Sequence, residues 1–188
     1  MRERAIEAGA RLISEQGLAV VTMEAVAEAA GCSVYSLYAA FGGRDELLGY
    51  SPILDLESLT AEPQADLAET VREIYAALVA AFTREPRVAP AMLADLFSRP
   101  DGPTGRIFQR YFPRVLDSVG SWLAQEVQAG RIRPLPVPLL IQQLIAPLVV
   151  HLLLRPAIAH GMGWDLPSLE ETSEIITQAF LRAVGAAR

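Results

Sequence analysis

The chain has no lysine and no asparagine, and a single cysteine among its 188 residues. Without lysine there can be neither a Schiff base nor the lysine of a phosphate-binding loop. One thiol, Cys32, cannot close an intramolecular disulfide, which is consistent with a reducing compartment and predicts a cytoplasmic protein. Histidine is nearly as scarce. His151 and His160 stand apart from any recognisable ligand set, so no metal or cofactor is expected. The motifs H-E-x-x-H, G-x-S-x-G and G-x-G-x-x-G are all missing, and an enzyme is not expected. The opening stretch, MRERAIEAGARLISEQG, is charged and amphipathic and lacks the apolar region of a signal peptide.

All sixteen basic residues are arginine and the net charge is −6. That balance argues against coating nucleic acid or anionic lipid through bulk charge, although a few arginines on one face suffice for a local patch. The scarcity of lysine and asparagine beside abundant Ala, Gly, Pro and Arg is the mark of GC-rich coding DNA.

What the chain does have is apolar side chains, 52% of the total, enough to bury a sizeable core. They recur with helical spacing and never with sustained strand alternation, so the fold class is all-α, with roughly nine helices. Ile6, Gly9, Ala10 and Ile13 share one face of a first helix that Gly17 closes. Thr22 and Ser33 are N-cap candidates for two short helices, with Gly31 between them and Gly42-Gly43 after the second. Asp45 and Glu46 suit the positive start of a fourth. Beyond it, helices are expected from Leu67 to Phe82, from 88 to 98 and from 106 to 129, the last containing Pro113 and stopped by Gly130. S-L-E-E at 168–171 is a capping box opening a final helix. The most apolar stretch, residues 135–154, is long enough to span a bilayer, but Gln142, Gln143, His151 and three prolines favour a buried helix and no membrane.

The informative segment lies between residues 22 and 48. A helix-turn-helix needs a small residue where its helices cross, a glycine in the turn, and an apolar residue locking the second helix to the first. Ala27, Gly31 and Leu37 meet those needs at suitable spacing, with Val26, Ala30 and Cys32 filling the apolar positions between. The stretch TMEAVAEAAGCSVYSLYAAFGGRDELL resembles the N-terminal domain of the tetracycline-repressor (TetR/AcrR) family of bacterial transcriptional regulators. Gly17, Thr22, Ala27, Ala30, Gly31, Ser33, Leu37, Tyr38, Phe41 and Leu47 carry the resemblance, with Arg44 in place of the usual lysine. It implies a DNA-binding domain over residues 1–48 and a helical effector-binding and dimerisation domain over 49–188. It also implies a homodimer, through the last two long helices, on the double-stranded DNA of a palindromic operator. A small-molecule effector would release it, as a repressor. Of the single residues, the resemblance assigns Thr22, Tyr38 and Arg44 to phosphate oxygens.

Three departures from the family pattern narrow this expectation. Position 35, commonly small, is Tyr, and position 40, often His or Tyr, is Ala. The second helix then offers Ser33, Val34, Tyr35 and Ser36 to the groove with no side chain able to pair bidentately with guanine or adenine. Direct readout reduces to hydroxyl bonds and contacts with thymine methyls, with DNA shape supplying more of the specificity. Arg2 and Arg4, on a short N-terminal arm, would reach the neighbouring minor groove. Finally, Gly49 and Pro52 come soon after the fourth helix begins, so that helix is expected to be short or broken. Tyr75, Phe82, Phe97, Phe108, Tyr111, Trp122 and His151, with Met92, suit an apolar or aromatic effector. The alternative is a helical ligand-binding or scaffold protein whose degenerate helix-turn-helix no longer binds a specific operator. With so few cations in the head, log affinity for duplex DNA should fall with log salt more shallowly than the roughly −10 of a heavily charged repressor. A salt titration of DNA binding measures that slope, and a value as steep as −10 would refute the expectation.

Overall fold

The computed structural model describes residues 1–49, 66–84 and 86–185. Among these there are nine α-helices and no strand. In chain order they are α1 Arg2–Gln16, α2 Met23–Ala30, α3 Val34–Phe41, α4 Arg44–Gly49, α5 Leu67–Arg84, α6 Val88–Ser98, α7 Pro103–Gln128, α8 Val137–Ala157 and α9 Leu169–Ala183. Two turns join them that apolar periodicity does not signal, a 3₁₀ turn Leu18–Val20 and a π-helical turn Ile158–Met162. Helix α7 begins three residues before the expected start, because Pro103 needs no N–H partner in a first turn. The course of α4 past Gly49, where the sequence predicts a break, lies outside the described residues.

The chain divides into two compact units, one of residues 1–56 and 81–113, the other of 57–80 and 114–188. The first unit is built around small side chains on α1. Ala5, Ala8, Ala10 and Ile13 are buried together with Val26, Ala27, Ala30, Leu37, Phe41, Leu47 and Leu48, and with Val88, Met92 and Ile107 from α6 and α7. At Gly9 an added Cβ would lie 3.2 Å from Leu47 Cδ2, so the missing side chain is what lets α4 approach α1. Asp95, buried on α6, accepts from the Thr104 hydroxyl at 2.5 Å and pairs with Arg99, holding the corner into α7. Burial raises the Asp95 carboxyl, but its bonds to Thr104 and Arg99 outweigh that and leave it below the usual range.

In the second unit α8 buries Leu140, Leu144, Leu148 and Leu152, one residue per turn. Tyr75 of α5 is buried against it and donates its hydroxyl to the Leu144 carbonyl at 2.8 Å. Arg72 and Glu174 pair α5 with α9 through two bonds, at 2.8 and 3.2 Å. The predicted capping box is present: Glu171 N donates to Ser168 Oγ, and Ser168 N to Glu171 Oε2. Helix α8 differs from the buried helix expected. It buries one stripe only, leaving Leu139, Val150 and Leu154 half-exposed, and it is the one described helix long and apolar enough to cross a membrane.

Leu37 has no exposed surface, whereas Tyr35, two residues away, is 83% exposed. Leu37→Ala should therefore cost about 2–5 kcal/mol and Tyr35→Ala less than about 0.5 kcal/mol. Urea denaturation followed by circular dichroism distinguishes the two, and equal costs would show α3 packed another way round.

Candidate nucleic-acid interface

The head is set by how its short helices begin and end. Thr22 has extended backbone and its Oγ1 accepts from Ala25 N at 3.1 Å, starting α2. Gly31, with φ +63°, ends α2 in the left-handed region that other residues enter at a cost, and the chain turns at once into α3. Ser33 caps α3, accepting from Ser36 N at 3.0 Å, and the hydroxyls of Ser33 and Ser36 also bond each other at 2.8 Å. Leu37 and Phe41 point inward from α3. The opposite face carries Tyr35, Tyr38 and Ala39 into solvent, Tyr38 about half-exposed.

This placement alters several expectations. Val34 is partly buried against the core and so is not wholly offered outward. Ser33 and Ser36 spend hydroxyl capacity on each other. Arg2 and Arg4 lie in the first turn of α1 and not on an extended arm, and the Arg2 guanidinium sits 4.9 Å from the centre of the Phe41 ring. Arg44 turns inward: Nη2 donates to the Leu18 carbonyl at 2.8 Å and Nε to the Val21 carbonyl. Burial, ahead of the opposing pull of Asp45, pushes its pKa below the ordinary arginine value.

Two ion pairs between helices gave no local signal in the sequence. Asp45 meets Arg106 at 3.3 Å and Glu46 meets Arg110 at 2.8 Å, fastening α4 to the first half of α7. The hydrogen bond from Arg110 holds the Glu46 carboxyl below its usual range. With Arg44 and Ile107 these four line an open cleft of about 420 Å³. Partners more than sixty residues apart can be found only from the fold.

The effector candidates divide between the units. Phe82, Phe97 and Phe108 belong to the first, and Tyr75, Trp122 and His151 to the second. Phe108 stacks on Phe112 with ring centres 4.0 Å apart, while Phe97 is 80% exposed. The side chains of Tyr111 and His160 lie outside the described residues. Met92 is in the core of the first unit. Trp122 is buried, and its Nε1 has no hydrogen-bond partner among the described residues. His151 Nε2 accepts from Arg155 Nη1 at 3.1 Å, which requires a neutral imidazole protonated on Nδ1.

A helix-turn-helix formed by α2 and α3 in an all-helical chain defines a class of fold, and comparison with known proteins narrows it. Residues 5–50 match the model of the bacterial regulatory proteins of the tetR family, and this N-terminal domain is a tetR-family domain. Over its whole length the chain is similar to solved structures. The transcriptional regulator PfmR of Thermus thermophilus is 24% identical with a TM-score of 0.66, over 97% of this chain and 96% of that one. FadR of Bacillus subtilis, solved in complex with stearoyl-CoA, is 15% identical with a TM-score of 0.72, over all of both chains. The flavonoid-responsive regulator FrrA is 23% identical with a TM-score of 0.63, over 97% of this chain and 95% of that one. At these identities the likeness establishes the fold. No curated protein matches the chain.

Burial, then the charge of Arg155, pushes the His151 pKa below its ordinary value of 6.5. The unfolded chain then takes up a proton more readily than the folded one. Stability is kept above the unfolded value and lost as pH falls through the folded one. Thermal unfolding below pH 6.5 should show this loss, and His151→Gln, which keeps an acceptor for Arg155, should remove that part of the slope.

Proposed function

We propose that the chain is a dimeric, DNA-binding transcriptional regulator, a repressor released from a palindromic operator by a small apolar or aromatic molecule. The observation that carries this reading is the outward face of α3. Tyr35 and Tyr38 stand in solvent beside the hydroxyl-bearing starts of α2 and α3, on a helix locked by Leu37 and Phe41. A large apolar residue held that far out of a core has no packing role to fill. Residues 1–48 would read DNA. Thr22 and Tyr38 would hold phosphate oxygens, and Tyr35 would meet the base edges. The shortage of hydrogen-bonding side chains on α3 leaves shape as the larger part of specificity. Arg2 and Arg4, at the exposed start of α1, would add charge near the backbone.

Residues 49–188 would bind the effector and the second copy. One neighbour of this fold was solved with stearoyl-CoA, whose acyl chain is apolar, and another is flavonoid-responsive, flavonoids being aromatic. The indole N–H of Trp122, without a partner among the described residues, adds a donor that an acceptor on such a ligand would satisfy. For the dimer, Leu139, Val150 and Leu154 of α8 and Ile175 of α9 form apolar surface that a second copy would cover.

Two measurements test these parts separately. Tyr35→Ala should weaken binding to a duplex chosen by the unmodified protein from a randomised pool by roughly fivefold to tenfold, the scale of one lost base contact. Failure to select any sequence would favour the helical scaffold with a degenerate head. Val150→Glu should convert the dimer to monomer in sedimentation velocity with helix content unchanged, and a dimer that survives it must use another face.

A further inference from the structure

We infer that Arg44 is a positioning residue for DNA recognition, holding the turn before α2 and through it the Thr22 hydroxyl, and that it does not itself supply the phosphate contact. This rests on the DNA-binding reading of the head. The resemblance puts a cation here to meet a phosphate, yet the donors are committed inward. Nη2 meets the Leu18 carbonyl at 2.8 Å and Nε meets the Val21 carbonyl, so one planar fork grips both ends of the 3₁₀ turn Leu18–Val20. The turn's own bond, Val21 N to Leu18 O, is long at 3.3 Å. The fork therefore supplies a hold that the backbone makes weakly.

The next residue is Thr22. Its Oγ1 already accepts from Ala25 N and its carbonyl from Val26 N at 3.0 Å, which leaves the hydroxyl proton as what it can give a phosphate. That proton is useful only if the turn behind it is fixed, because hydrogen bonds weaken steeply with angle and distance. The third guanidinium nitrogen of Arg44, Nη1, is 3.6 Å from Asp45, and Asp45 also meets Arg106. The side chain is 24% exposed, too enclosed to behave as a free cation sweeping the surface. A lysine at this place would carry the same charge but only a point donor, with no fixed fork for two carbonyls.

The test uses Arg44→Lys and Arg44→Met in the full chain. DNA affinity is measured across a salt series on the selected duplex. Amide exchange at Val21, Ala25 and Val26 is measured without DNA. Both variants should lose affinity by roughly tenfold, with a log–log salt slope equal to that of the unmodified protein, since no phosphate-bound cation has been removed. Exchange at the three amides should quicken in both. A slope shallower by about 0.9 per subunit in the methionine variant, restored by lysine and without faster exchange, would make Arg44 a phosphate contact and overturn the inference. So would unchanged affinity and exchange in both variants. Should the methionine variant fail to fold, the lysine variant decides alone, because a phosphate contact predicts near-unmodified affinity for it. If the unmodified protein selects no DNA, the reading of the head fails by itself, and the exchange data still judge the hold on the turn.

Discussion

Everything at the N-terminal end depends on how closely other helices can approach α1. Its fully buried residues are Ala5, Ala8, Gly9 and Ala10, with Ile13 as the one large side chain among them, so α2, α3 and α4 can pack against it at short range. Short helices of six to eight residues are marginal in isolation, and burial of one or two large side chains each is what keeps them folded. Leu37 and Phe41 serve α3 in this way, and once they point inward the outward direction of Tyr35 and Tyr38 is no longer free. The exposed face of α3 is thus a by-product of the buried one.

The same close packing explains why arginine is used inside the head. At Arg44 a guanidinium spans two carbonyls that neighbouring elements leave without good partners, and the chain's exclusive use of arginine makes such forked bonds available. Asp45 and Glu46, beside it, reach Arg106 and Arg110. One turn of α4 therefore faces the start of α2 through Arg44 and α7 through its two carboxylates. Exposed ion pairs of this kind contribute little each to stability. Their consequence here is to tie the polar first turn of α4 to α7, while Leu47 and Leu48 hold its other end in the core.

Helix α8 shows the opposite balance. A stripe of four leucines at every fourth position settles its inward face, and Leu139, Val150 and Leu154 remain half-exposed beside Gln142 and Gln143 in a chain considered alone. Mean hydropathy over such a helix cannot distinguish lipid, a protein core or a second copy, because each removes the same side chains from water.

Local chemistry was legible from the sequence. Gly17 and Gly31 as stops, Thr22 and Ser33 as caps, and the Ser168–Glu171 capping box all involve partners within a few residues, and the amino-acid types alone bring them about. So does the all-α class, and so does the pairing of α2 with α3 through Ala27, Gly31 and Leu37. What the tertiary structure decided is which donors are already occupied and which faces remain open. Arg44 on the Leu18 and Val21 carbonyls, Arg2 over Phe41, Val34 half-buried and Phe97 almost bare are results of packing between segments distant in the chain. The sequence names the groups that can bond. Only three-dimensional proximity, which it does not encode at short range, decides which bond is made first.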